Sequence, residues 1–93
     1  MIRGFADKQT EGVWQGERIA RLPVEVQRVG RRKLRMLNNA RDLRDLRVPP
    51  GNRLEQLRRG RAGEHSIRIN DQWRVCFRWR DGDAYDVEIT DYH

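Results

Sequence analysis

Across residues 67–89 the large apolar side chains all fall on odd numbers: Ile67 and Ile69, then Trp73, Val75, Phe77 and Trp79, then Tyr85, Val87 and Ile89. A period of two puts them on one side of a β-sheet, so the stretch reads as three antiparallel strands joined by hairpins. The Asp81-Gly82 pair invites a two-residue turn, but that turn opposes residues whose numbers sum to an odd value and sets Phe77 against Asp86. A three-residue loop at 81–83 instead pairs Trp79 with Tyr85, Phe77 with Val87 and Val75 with Ile89. A matching loop at 70–72 pairs Ile69 with Trp73 and Ile67 with Val75. Ser66, Arg68, Arg74, Cys76, Arg78, Asp86, Glu88, Thr90 and Tyr92 then share the other face. There Arg74 is expected opposite Thr90 and diagonal to Tyr92, on an open polar surface. A merely solvated face, with Arg78 paired to Asp86 and Glu88, accounts for the same residues.

The apolar face needs a cover. Pro23 suits the first turn of a helix, and Val26, Val29, Gly30, Lys33, Leu34, Met36, Leu37 and Ala40 fall on one side of a 3.6-residue wheel, which predicts a helix over 23–40. Its other side carries Arg28, Arg31, Arg32 and Arg35, suited to a phosphate backbone, to an acidic partner, or simply to solvent. Upstream, residues 2–5 read as a short edge strand and 7–14 as a first short helix. Leu43 and Leu46 allow one more helical turn before Pro49-Pro50-Gly51 breaks the chain. Asn52 followed three residues later by Glu55 matches a variant capping box, which predicts a helical turn over 53–57. Arg58, Arg59 and Arg61, interleaved with Gly60 and Gly63, form a basic loop before the sheet. Ninety-three residues bury only about 60 to 65% of their unfolded surface, enough for one core. The expectation is a single α+β domain over 1–93, with N-terminal helices packed on one face of an antiparallel sheet of three to four strands.

The net charge of +6 is unevenly spread. Over residues 18–61, thirteen Arg and Lys33 face only Glu25, Asp42, Asp45 and Glu55, a local net of +10, while residues 62–93 are net negative by three. Such a centre favours an anionic partner, nucleic acid or an acidic protein segment. Eighteen of the twenty basic residues are Arg, which grips phosphate bidentately; a GC-rich coding sequence explains that bias as well. No run reaches the roughly 18 apolar residues of a membrane span and no export signal is read, so a cytoplasmic protein without membrane contact is expected. The lone Cys76 agrees with a reducing compartment.

Asp91-Tyr92-His93 offers three groups able to move or bind protons, with His suited to both halves of an acid–base reaction. His65 has core parity and reads as structural. Two His and one Cys without close spacing make no zinc site, Asp81-Gly82-Asp83 is turn chemistry, and no phosphate-binding loop or hydrolase triad is in view, so neither metal nor cofactor is expected.

Three separated blocks carry a resemblance: Pro49-Pro50-Gly51-Asn52-Arg53-Leu54-Glu55, then Ser66-Ile67-Arg68-Ile69-Asn70-Asp71-Gln72-Trp73-Arg74, then Asp83-Ala84-Tyr85 with the terminal Asp91-Tyr92-His93. Together they resemble the HigB toxins of the RelE/ParE superfamily, closely over 39–93 and in outline before that. The resemblance implies a small RelE-like fold and a type II toxin that cuts mRNA in the decoding site of the ribosome without metal. It also implies a HigA-like helix-turn-helix antitoxin, through which alone operator DNA would be met. The family's sheet-face arginine falls on Arg74 and its terminal catalytic residues on Asp91, Tyr92 and His93. Some relatives carry His where this chain has Glu55 and Lys where it has Arg58. Arg58 neutralises phosphate but does not give up a proton, which leaves Glu55 as an auxiliary acid–base group or only a helix cap. Arg74, helped by Arg58 or Arg68, is expected on the scissile phosphate, with Arg59, Arg61 and Arg78 as further RNA-binding arginines. Three alternatives stand beside this: a non-catalytic ParE-like toxin acting on gyrase, a basic RNA-binding domain, and a relative that has lost activity. The terminal acid–base residues favour the nuclease over the ParE branch.

Overall fold

The computed structural model describes residues 1–91. Its first helix, α1 (Lys8–Trp14), starts at Asp7, whose Oδ1 accepts the Thr10 N–H at 2.6 Å. The second, α2 (Val24–Asn39), begins after Pro23 and ends before Ala40. The wheel sorts as expected: Val26, Gly30, Lys33, Leu34 and Leu37 are buried, while Arg28, Arg31, Arg32 and Arg35 are exposed. Gln27 pins the connection between the helices, accepting from the Ile19 N–H and donating to the Ile19 and Leu22 carbonyls. None of the described helices is long and apolar enough to cross a membrane.

Four antiparallel strands lie in the order β1 (Glu55–Gln56), β2 (Glu64–Arg68), β3 (Trp73–Arg80) and β4 (Asp83–Asp91). The first hairpin has the predicted register, with Ile67 opposite Val75 and the Ile69 N–H on the Trp73 carbonyl. At the second, Arg74 does oppose Thr90 and Val75 does oppose Ile89, but the turn differs. Arg80 pairs with Asp83, so the loop is the two-residue Asp81-Gly82 turn, with both residues at positive φ, 52° and 83°. Parity is restored by a bulge: between the Cys76–Glu88 and Arg78–Tyr85 pairs, Phe77 faces two residues of β4, and Asp86 takes the left-handed conformation at φ 51°. The bulge moves Tyr85 off the apolar face and puts Ala84, fully buried, in its place.

Both helices lie on the odd-numbered face of the sheet. Leu34 and Leu37 join Ile67, Val75, Phe77 and Val87 in a core where each is fully buried. A fully buried side chain of this kind contributes about 1.5–3 kcal/mol. Gly30 sets how closely α2 approaches, because a Cβ there would lie 3.1 Å from Ile89 Cδ1. The predicted N-terminal edge strand is reduced to two parallel bridges, Ile2 to Ala84 and Phe5 to Val87.

The segment between α2 and the sheet departs most from expectation. Leu43–Arg47 forms one 3-10 turn, whose N-cap Asp42 and Asp45 make a capping box. The predicted cap at Asn52 does not form, and Glu55–Gln56 is a strand rather than part of a helical turn. Asn52 is fully buried and spends its amide on the interior. Its Oδ1 accepts Lys33 Nζ at 2.5 Å, and its Nδ2 donates to the Leu46 and Val48 carbonyls at 3.2 and 3.4 Å. Burial holds the Lys33 ammonium below the usual lysine range, with Arg32 and Arg68 adding to the effect. Arg53, at φ 45°, then turns the chain so that Glu55 can pair with Ser66.

Candidate functional site

Arg74 is the second residue of β3, with Arg68 across the ladder on β2 and Thr90 on β4. Its side chain is only 10% exposed, so it does not stand on an open surface as expected. Nε donates to Ser66 Oγ at 2.7 Å, and Nη2 donates to the Arg53 carbonyl at 2.7 Å. The same Nη2 lies 3.3 Å from Oε2 of Glu55, which is half exposed. The guanidinium is thus held on neutral acceptors, with the Glu55 carboxylate at its solvent side.

The short β1 carries this geometry. Pairing Glu55 with Ser66 and Gln56 with His65 brings Glu55 over the polar face. Beyond it, Glu55, Gln56, Leu57, Arg58 and Arg59 line a groove of about 440 Å³. Arg58 and Arg59 are exposed and have no carboxylate partner among the described residues. The groove therefore has two unneutralised cations on one side and the Arg74–Glu55 pair at its edge.

The other predicted RNA-binding arginines are engaged. Arg61 bridges Glu64 at 3.0 Å and Glu88 at 2.7 Å, and the hydrogen bond to Glu88 raises its pKa further. Arg68 pairs with Asp71, and Arg78 lies 3.6 Å from Asp86. Cys76 is fully buried, and burial pushes its thiol up to about 11, so it is no nucleophile. His65, on the core side, has its ring 5.9 Å from that of Phe77, and burial holds the imidazole below its ordinary value. Among the described residues, no group of three His, Cys, Asp or Glu side chains is placed to hold a metal ion.

Asp91 ends β4 opposite Trp73 and accepts from Gln72 Nε2 at 2.9 Å. Strand register thus puts Arg74 and Asp91 at the same end of the sheet. Tyr92 and His93, the other two terminal site residues, lie outside the described residues. Sequence reasoning missed three contributors: the Ser66 hydroxyl, the Arg53 carbonyl and the contact of Glu55 with Arg74. Ser66 was findable, because the register makes it diagonal to Arg74. The other two depend on a two-residue strand and a left-handed turn that leave no periodic trace.

Comparison with known proteins gives a consistent result. Residues 3–93 match the family described as the RelE-like toxin of type II toxin-antitoxin system HigB. Toxin HigB-1 of Vibrio cholerae serotype O1 is 42% identical over 90 residues, covering 96% of this chain and 95% of that protein. An uncharacterized protein of Haemophilus influenzae is 32% identical over 74 residues, covering 80% and 73% of the two chains. Among solved structures, the YoeB-YefM complex from Staphylococcus aureus superposes with a TM-score of 0.58 at 14% identity, over 100% of this chain and 98% of that one, a likeness of fold alone.

Proposed function

The chain belongs to the RelE-like HigB toxins of type II toxin-antitoxin systems, and we propose that it is an endoribonuclease that cuts mRNA on the ribosome, in the cytoplasm, by acid–base chemistry. In this reading the 2'-OH of one nucleotide attacks the adjacent phosphorus and the 5'-oxygen leaves. The observation that carries it is the preformed Arg74, whose neutral hydrogen bonds survive if a phosphate takes the place of the Glu55 carboxylate. A fixed guanidinium of this kind stabilises the extra charge on the phosphoryl oxygens without rearranging. Arg58 and Arg59 line the groove beside it and guide the strand, while Arg68 and Arg78 reach RNA only by giving up exposed carboxylates. Arg61, tied to two carboxylates, mainly holds its loop against β2 and β4.

Proton transfer falls to Asp91, Tyr92 and His93, with Glu55 as an auxiliary base once it leaves Arg74. The ribosome supplies the alignment that so few groups cannot. The partner is a HigA-like helix-turn-helix antitoxin that neutralises the toxin and alone contacts operator DNA. The test compares mRNA cleavage in a translating extract for the full chain, Arg74→Ala and a variant lacking His93. Each change is expected to reduce cleavage roughly 100-fold or more. Thermal unfolding of each variant serves as the folding control. Undiminished cleavage in both variants would remove this site.

A further inference from the structure

At the far end of the sheet from Arg74, Gly63, Arg78, Trp79, Arg80, Tyr85 and Asp86 line a cavity of about 300 Å³, a size at the lower end of small-ligand pockets. The bulge creates it. By displacing Tyr85 from the apolar side, Asp86 turns a partly buried aromatic ring onto the polar face opposite Arg78. The Arg80 guanidinium lies over that ring, 4.7 Å from its centroid. Gly63 lines it in the left-handed conformation at φ 91°, which glycine adopts without strain. Asp86 adds an exposed acceptor beside the ring, only loosely held by Arg78 at 3.6 Å.

We propose that this cavity is a stacking site for one unpaired base of the mRNA, held against the Tyr85 ring and the Arg80 guanidinium. An aromatic face and a planar cation are the two surfaces on which single-stranded bases stack, and every base has a face to offer. The Asp86 carboxylate accepts from a base amino group, which favours adenine, cytosine or guanine over uracil. The mRNA, rather than another strand, is favoured by continuity. Arg74 and Arg78 lie on the same face of β3, four residues or about 13 Å apart, a span that a few nucleotides of single strand cross. The assignment to mRNA rests on the nuclease reading; the base-stacking itself does not.

Binding of a short labelled oligoribonucleotide to the full chain, followed by fluorescence anisotropy, tests the stacking apart from cleavage. Tyr85→Ala is expected to weaken binding roughly 10-fold, and Tyr85→Phe to keep it within about 2-fold. An oligonucleotide series with one abasic position moved along the strand should show the same loss on the unaltered chain at one position, and no further loss on Tyr85→Ala. Absence of a sensitive position on the unaltered chain overturns stacking even if Tyr85→Ala folds poorly. In a mixture with translating ribosomes, an ultraviolet cross-link from Tyr85 to mRNA supports the assignment, and one confined to ribosomal RNA overturns it. A chain that cleaves no mRNA would sink the nuclease reading, while the abasic series still decides the stacking.

Discussion

Arg74 is a largely buried cation whose proposed role is to receive a phosphate. Three of its contacts are to neutral acceptors, the Ser66 hydroxyl and carbonyl and the Arg53 carbonyl, and the Glu55 carboxylate lies against its charge. Because Glu55 is half exposed, the ion pair is screened by solvent and costs little to exchange. Arg61, bridged to both Glu64 and Glu88, makes a poorer phosphate site because two carboxylates already oppose its charge. The other histidine answers to burial rather than chemistry. Partial burial against Phe77 holds the His65 imidazole below its ordinary value of 6.5. The unfolded chain takes up this proton as the pH falls through 6.5, while the folded chain resists it to lower pH, so stability must decline with acidity across that window. Urea unfolding at pH 7.5 and 5.5 should show this decline, and His65→Leu should reduce it. An equal decline in the variant would show that other groups govern the acid response.

At the level of the element, the β3–β4 hairpin satisfies two demands that conflict in a regular ladder. Asp81-Gly82 is the preferred two-residue turn, and the apolar alternation requires a register that such a turn cannot give; the spare residue Asp86 reconciles them. Asp tolerates a positive φ better than most residues, and a β-branched residue tolerates it poorly. Asp86→Val, which raises strand propensity, is therefore expected to destabilise by about 1–2 kcal/mol, and Asp86→Gly to be neutral or stabilising. Thermal unfolding reads the difference as a fall of roughly 4–8 °C per kcal/mol in a domain this size. A stabilising Asp86→Val would mean that the strand is regular there. The bulge also marks how far the fold is legible in the sequence. The alternation in β2 and β3 and the wheel of α2 are strong because each spans several turns or pairs and one face is buried. The position of a bulge is not, since one inserted residue leaves the pattern on both sides intact. Glu55–Gln56 is too short to carry any period, and Asn52 copies a cap signal while serving the interior. Hence Arg74 and its face were readable from parity, but its burial and its pairing with Glu55 were not.

Across the whole molecule the charge is sorted by face. The exposed side of α2 presents Arg28, Arg31, Arg32 and Arg35, of which Arg28 alone is in an ion pair, to Glu25, among the described residues. If the proposed action on the ribosome holds, the toxin approaches a polyanion, and each arginine that neutralises a phosphate contributes about 0.7–0.9 to the slope of log affinity against log salt. Replacing Arg31, Arg32 and Arg35 by Gln should leave stability nearly unchanged, since exposed positions shift it by less than about 0.5 kcal/mol each. If this face meets ribosomal RNA, the salt slope of ribosome association should fall by about 2–3 in the triple variant, and toxicity with it. An unchanged slope would assign the face to the antitoxin or to solvent instead. The same cells separate the nuclease from a gyrase-directed toxin. Growth arrest with cleaved mRNA and intact DNA is expected for the unaltered chain, attenuated in the triple variant. Arrest with intact mRNA and induced DNA damage would reverse the reading, because a loss of ribosome affinity could not then explain the attenuation.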